Sequence, residues 1–368
     1  MDIKRLTFFT NIPSPYNLDL FESLAQRFSL SVYYFTRIET ERQWDLNTVS
    51  ENYTSCVLRK DVLFRLFQKI NRNFYFNIQC IRVALTVKSE YFILGGNYFA
   101  PNTILLLLIL RLRSQTVFWY GERLLPSSNL LIFIIKRILI TPVNVFTKGV
   151  FAIGETAKSS YRRFGYVKPI LNTPYAINND RLLLANQRGC QQSEKIIFLS
   201  SGSLIDRKGY DIALRAFNSL DKDLQSRIEY WIIGDGPLAP RLKSLVDPEV
   251  TVRFLGFVEP KHLAPYFASA DIFILTSRYD GWGVVVNEAI AAGLPIIVTN
   301  TCGASEYVDA KGGFVVNCDV VDISSKIKYL LLNPELAGNF SIYNSKKANE
   351  ISSDRIADKM FNHMTSDT

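Results

Sequence analysis

The run Tyr279-Asp280-Gly281-Trp282-Gly283-Val284-Val285-Val286-Asn287-Glu288-Ala289-Ile290-Ala291-Ala292-Gly293-Leu294-Pro295 decides how this chain is read. Two carboxylates, Asp280 and Glu288, flank a glycine-bearing turn that leads into a helix signal. Gly281 and Gly283 present no Cβ, so the backbone there can pass close to a ligand. The pattern from about Val284 predicts a helix ending at Gly293, with Pro295 barring its continuation. Unpaired N–H groups at a helix start form an anion site. A phosphate would sit over Gly283, Val284 and Val285, with Glu288 about one turn along. A carboxylate there accepts two hydroxyl hydrogen bonds of the kind a ribose diol offers. The spacing alone also fits an ordinary glycine turn before a core helix, and the neighbouring segments decide between the two.

Upstream, Ile196-Ile197-Phe198-Leu199-Ser200-Ser201-Gly202-Ser203-Leu204-Ile205-Asp206-Arg207-Lys208-Gly209 reads as a buried strand, a turn and a helix beginning near Tyr210. Open α/β sheets hold ligands at such turns. Lys208 is a compact cation suited to phosphate, although Arg207 and Lys208 also fit a solvated turn. Four further pieces follow in order. Tyr230–Pro237 is a strand closed by Gly234-Asp235-Gly236-Pro237. Val252–Val258 is a strand whose Phe254 and Phe257 are expected in the core rather than stacked on a ligand. Ala270–Ser277 is a short strand feeding the Asp280 turn. Ile296–Thr299 and Gly303-Ala304-Ser305-Glu306 come after it.

This ordered set, dense from about residue 196 to 316, resembles the retaining GT-B glycosyltransferases of family 4, whose signature is an acidic residue followed eight positions later by Glu. The resemblance implies two Rossmann-like parallel-sheet domains facing each other across a cleft, and a nucleotide-sugar donor of UDP or GDP type, with no separate cofactor and no metal. It places Asp280 by the transferred sugar, as a shorter carboxylate than the family's usual Glu, and Glu288 on the nucleotide ribose. Lys208 matches the family's diphosphate-binding Lys, so Lys208, Asp280 and Glu288 are the candidate catalytic residues. Gly202, Ser203, Arg207, Phe257, Val258, Gly281, Gly283, Val284 and Val285 complete the candidate donor site. Ser203 stands where the family carries an Arg; Arg207 is the nearest replacement, yet adjacent side chains usually point apart. The family's frequent N-domain His is missing here. The chain's two histidines are His262 and His363. In the resemblance the departing phosphate itself takes the acceptor proton, so no side-chain base is required.

The first half supports the architecture. Strand signals at Leu6–Thr10, Leu30–Phe35, Tyr91–Leu94, Thr116–Tyr120 and Phe151–Ile153 alternate with helical patterns such as Leu18–Phe28 and Ile104–Leu112. That alternation predicts a parallel sheet covered on both faces. A chain of 368 residues exceeds one comfortable core. The expected division is an acceptor domain over 1–177, a polar linker over 178–194, a donor domain over 195–345, and a C-terminal helix over 346–368 that packs back on the first domain. The loop Asn11-Ile12-Pro13-Ser14-Pro15-Tyr16-Asn17 follows the first strand, and Trp119-Tyr120-Gly121-Glu122-Arg123 follows a later one. Ser14, Tyr16, Asn17 and Glu122 are candidate acceptor or sugar contacts. Helix capping by Ser14 and a loop salt bridge for Glu122 are the competing readings.

Charge separates the two halves. Residues 1–177 hold 22 Lys and Arg against 11 Asp and Glu, net +11; the remainder holds 20 against 23, net −3. No zinc spacing, recognition-helix pattern or RNA aromatic motif accompanies the basic half, which argues against nucleic acid. An anionic membrane surface fits it better. In Arg59–Arg72 the residues Val62, Leu63, Leu66, Phe67 and Ile70 share one helical face, while Arg65, Lys69 and Arg72 line the other. Leu130–Ile140, broken by Lys136-Arg137, has similar character, and each segment also fits a core helix with a solvated face. Neither reaches the roughly 20 apolar residues of a spanning helix, and no secretory leader is read after Lys4-Arg5. The five cysteines have no metal-like spacing, and their odd number argues against a disulfide framework. The expectation is a cytoplasmic enzyme, peripheral on the inner face of the membrane, that glycosylates a lipid-linked or surface-polysaccharide acceptor. Two alternatives share the fold: a catalytically weak nucleotide-sugar-binding subunit, and a nucleotide-sugar epimerase.

Overall fold

The computed structural model describes residues 3–37, 50–71, 74–125, 129–178, 182 and 195–366. They form two compact units, one of Met1–Tyr175 with Ser353–Thr368, the other of Ala176–Ser352. Of the stretch 178–194, all but Asn178 and Leu182 lies outside the described residues.

The first unit is built on β1 (Arg5–Thr10), β2 (Ser29–Tyr34), β3 (Thr54–Val57), β4 (Tyr91–Gly95), β5 (Thr116–Gly121), β6 (Gly149–Ala152) and β7 (Ile170–Asn172). They form one parallel sheet in the order β3-β2-β1-β4-β5-β6-β7. Both faces are covered, so central strands such as Phe92-Ile93-Leu94 are apolar without alternation. Phe9, Phe92, Leu94, Val117, Trp119 and Val150 meet the helices α2 (Val62–Ile70), α3 (Ile78–Thr86), α4 (Pro101–Leu112), α5 (Leu130–Phe146) and α6 (Glu155–Arg163) on one face. Phe8 meets Phe21 of α1 (Pro15–Ala25) on the other.

Several boundaries differ from those the sequence suggests. α1 and α4 each start three residues before the apolar pattern, at Pro15 and Pro101, because proline suits the first helical turn, where its missing N–H is no loss. α2 starts after Asp61, whose carboxylate accepts from the Phe64 amide at 2.9 Å. α5 runs on past Ile140, through Pro142, to Phe146. β3 and β7 carry no clear signal, being short, half-exposed strands at the two sheet edges.

The second unit has β8 (Ile196–Ser201), β9 (Ile228–Ile233), β10 (Thr251–Gly256), β11 (Ile272–Leu275), β12 (Ile296–Thr299) and β13 (Gly313–Val316), parallel in the order β10-β9-β8-β11-β12-β13. Its helices are α7 (Tyr210–Asn218), α8 (Lys222–Ser226), α9 (Ala239–Ser244), α10 (Ala264–Ser269), α11 (Val285–Ala291), α12 (Val320–Leu332) and α13 (Pro334–Lys347). α14 (Ser353–Thr365) belongs to the first unit and lies on α1. There Arg27 Nε donates to Asp358 at 2.7 Å, Phe28 meets Phe361, and His363 sits edge-on to Phe118 and Phe151.

In each sheet the strand order reverses once, between β1 and β4 and between β8 and β11. Loops leaving the C-terminal ends of the two strands at such a switch point diverge and leave a crevice. The segment after β8 carries Lys208, and the segment after β11 carries Asp280. One core expectation is corrected: Phe254 packs partly against the apolar core, but Phe257 is 57% exposed. It lies past the left-handed Gly256 that ends β10, so the strand no longer directs its ring inward.

Candidate active site

β8 ends at Ser201, and the chain then passes through Gly202, the exposed Ser203 and a single 3₁₀ turn, Asp206–Lys208, before α7. Gly209 joins that turn to the helix at φ +65°, and a side chain there would collide with the Thr276 carbonyl oxygen at the end of β11. Thr276 Oγ1 also donates to the Gly209 carbonyl oxygen at 2.8 Å. The two segments at the switch point are therefore locked together by backbone contact. The turn after β9 supports them from the far side, with the Leu204 amide donating to the Asp235 carbonyl at 2.9 Å.

That lock brings the two sequence-marked charges together. Lys208 Nζ lies 2.5 Å from Asp280 Oδ2, and both residues are more than nine-tenths buried. Arg207 reaches the same carboxylate oxygen at 3.6 Å from a half-exposed position. Adjacent residues on a 3₁₀ turn are about 120° apart around its axis, so Arg207 and Lys208 both face Asp280 where an extended chain would have separated them. Ser203 is exposed and contributes no charge.

The Asp280 turn is held from below by the segment after β12. The Asp280 amide donates to Thr301 O at 3.2 Å, the Gly303 amide donates to Asp280 O at 3.2 Å, and the Ala304 amide donates to Trp282 O at 2.7 Å. Gly283 has φ +87°, and a Cβ there would lie 2.5 Å from Cys302 Sγ. Burial pushes the Cys302 thiol up to about 12, so it stays protonated. Trp282 is buried, with Nε1 donating to Asn287 Oδ1 at 2.9 Å, which ties the turn to α11. α11 starts at Val285 with Val284 at its N-cap and no side-chain cap, and Glu288 stands half-buried in its first turn.

Three contributors carry no local sequence signal. Arg278 makes a two-pronged bond to Asp211, at 2.8 and 2.7 Å, and donates to Asp206 O at 2.8 Å. It thus braces α7 and the 3₁₀ turn against the segment that carries Asp280. Its bonds hold the Asp211 carboxyl below the ordinary range. The Trp282–Asn287 bond and the Thr301–Gly303 clamp are the other two; they join residues whose roles become visible only when the elements pack.

In the first unit, Tyr16 and Tyr175 have ring centroids 4.2 Å apart, and Tyr175 OH donates to Glu122 Oε1 at 2.8 Å. Tyr16 and Glu122 are thereby joined through Tyr175. Ser14 occupies the N-cap of α1, but its side chain makes no capping bond. Ser14 Oγ and Asn17 Oδ1 are buried without a hydrogen-bond partner among the described residues, as are Asn11 Oδ1, Tyr120 OH and Thr173 Oγ1. Buried polar atoms are nearly always paired, so five orphans at the C-terminal ends of β1, β5 and β7 mark a place where polar ligand atoms are wanted. Burial pushes the Tyr120 hydroxyl well above its ordinary range, keeping it a neutral donor.

Residues 186–347 match the profile of the family described as glycosyl transferases group 1. Over 204 residues the chain is 29% identical to sulfoquinovosyl transferase SQD2 of Arabidopsis thaliana, covering 53% of this chain and 38% of that protein. It is 29% identical to the lipopolysaccharide glucosyltransferase WaaG of Escherichia coli K12 over 143 residues, 38% of this chain and 37% of WaaG. The chain thus spans less than half the length of both relatives. Among solved structures, Anabaena Alr3699/HepE in complex with UDP superposes with a TM-score of 0.76 at 14% identity, covering 98% of this chain and all of that one. The two parallel-sheet units are therefore those of the GT-B fold.

Proposed function

We propose that this chain, whose residues 186–347 match the glycosyl transferases group 1 family, is a retaining glycosyltransferase that moves a hexose-type sugar from a nucleotide diphosphate to a lipid-linked or surface-polysaccharide acceptor. The observation that carries this reading is the Lys208–Asp280 pair, 2.5 Å apart, built by the two segments that flank the switch point of the second sheet. A buried cation beside a buried carboxylate can trade partners. The donor diphosphate takes Lys208 and Arg207, and the freed Asp280 carboxylate accepts from the hydroxyls of the transferred sugar. Gly202 and Ser203 line the phosphate side, the amides of Gly283, Val284 and Val285 complete it, and Glu288 accepts from the ribose diol. Phe257 and Val258, beyond the end of β10, lie on the base side. Stabilising charge as it develops on the leaving group is the largest lever such a site has. Arg207, within 3.6 Å of Asp280, supplies the second cation that Ser203 does not. That supports an active enzyme over a weak binding subunit.

The UDP-bound relative in structure supports a nucleotide-sugar donor. The orphaned polar atoms of Asn11, Ser14, Asn17, Tyr120 and Thr173, with Tyr16 and Glu122 beside them, support an acceptor rich in hydroxyls. The basic first unit supports an acceptor presented at an anionic membrane, and the likeness to a lipopolysaccharide glucosyltransferase supports a surface-polysaccharide acceptor. The test is nucleotide release from a panel of UDP-, GDP-, ADP- and dTDP-sugars, with and without a membrane lipid extract. Release that depends on the extract is expected. Donor binding with no release under any condition would return the binding-subunit reading.

A further inference from the structure

The α2–α5 face of the first unit leaves open more apolar surface than a solvated helix layer needs. On α5, Leu130 is 71% exposed, Leu131 65% and Ile138 64%; on α2, Val62 is 79% and Ile70 70%; Leu112, the last residue of α4, is 85%. These helices share one side of the sheet through a common core. Isolated exposed apolar residues are ordinary, whereas contiguous series of them mark interaction surfaces.

Charge identifies the occupant. None of α2, α3, α4 and α5 contains an Asp or Glu. From Val62 to Gly154 the chain holds eleven Lys and Arg against Glu90 and Glu122. Both acids are engaged elsewhere, Glu90 by Arg5 and Glu122 by Tyr175. Arg59, Lys60, Arg65 and Lys69 are exposed around α2, and Arg137 is exposed on α5. A second copy would set one cationic face against another, which is repulsive. An anionic bilayer satisfies both the apolar surface and the cations. Among the described residues no helix is long and apolar enough to cross a membrane, so these helices would lie in the interface.

We propose that the α2–α5 face is an insertion surface for an anionic phospholipid bilayer, with the apolar side chains of α5 and α2 below the headgroups and Arg65, Lys69 and Arg137 among the phosphates. This deepens the membrane reading above by assigning the surface that makes the contact, and its test does not depend on turnover. The full chain is floated with equimolar phosphatidylglycerol–phosphatidylcholine vesicles and with phosphatidylcholine vesicles alone. It should float with the first only, and high salt should weaken it. Arg65→Glu with Lys69→Glu should lower partitioning about 25-fold, from about 1 kcal/mol per lost cation. Leu131→Asp with Ile138→Asp should lower it at least about tenfold. All four sites are exposed, so melting temperature and nucleotide-sugar donor affinity should hold. Wild-type protein that stays off anionic vesicles would overturn the proposal, as would variants that float equally well. A wild-type dimer that Leu131→Asp with Ile138→Asp turns into a monomer, with lipid binding unchanged, would assign the face to a second copy instead. Failure of the glycosyltransferase reading would show separately, as absent nucleotide release by protein that still floats.

Discussion

Removing one member of the Lys208–Asp280 pair should destabilise the second unit, and the two removals should differ. Breaking a buried ion pair by deleting one partner costs about 3–5 kcal/mol, because a buried charge is left uncompensated. Asp280→Asn leaves Lys208 buried beside Arg207, with the compensating carboxylate gone, so its cost should sit at the full 3–5 kcal/mol scale. Lys208→Gln leaves Asp280 with Arg207 at 3.6 Å and the solvent that Arg207 touches, so about 2 kcal/mol is expected. At about 2–4 °C per kcal/mol for a unit of this size, Asp280→Asn should lower its melting temperature by about 6–20 °C and Lys208→Gln by about 4–8 °C. Lys208→Met combined with Asp280→Leu should recover most of the loss, since neither charge remains to be buried. The assay is thermal and urea unfolding of the three variants against wild type. A Lys208→Gln protein less stable than Asp280→Asn would refute the role given to Arg207. A double variant no better than the sum of the singles would refute the pairing itself.

Gly209→Ala forces a left-handed residue and meets the Thr276 carbonyl oxygen; a loss of about 2–4 kcal/mol is expected by urea denaturation, with turnover reduced because Lys208 is the neighbouring residue. The Arg278 fork depresses the Asp211 pKa, so its stabilisation is complete above the ordinary aspartate value of about 3.9 and disappears as pH falls through the lower folded value. Unfolding midpoints should therefore drop more steeply in wild type than in Asp211→Asn across that acid window, and parallel curves would contradict the brace. Tyr120→Phe removes a buried hydroxyl that has no protein partner, so stability should hold or rise slightly, while kcat/KM for the acceptor should fall about tenfold through one lost hydrogen bond. A clear loss of stability in Tyr120→Phe would show that the hydroxyl serves the fold.

The turns of the second unit were legible because they are written in local spacing. Gly202, Lys208, Gly209, Asp280, Gly283 and Glu288 each sit where a strand hands over to a helix, and such turns draw on few residue types. The sequence leaves open whether Arg207 reaches the Lys208–Asp280 pair, because no residue in Ile205–Lys208 announces that the turn is 3₁₀ rather than extended. Phe257 was misplaced because the left-handed Gly256 ends the strand one residue before it. The Arg278–Asp211 brace, the Trp282–Asn287 bond and the Thr301–Gly303 clamp join segments that only packing brings together. In the first half, the strands were readable as apolar runs, but β3 and β7 are too short and too exposed to stand out. Asn11, Tyr120 and Thr173 gave no signal, because what distinguishes them is burial without a partner.

The most direct test of the central claim is the rate of nucleotide release by Lys208→Ala with the donor and acceptor that the panel identifies, measured beside donor affinity. Loss of about 10²–10³ in kcat, with the donor still bound, is the predicted result, the scale at which one preorganised charge stabilises a leaving group. Turnover equal to wild type would contradict the account, because the buried cation at the switch point would then serve the fold alone.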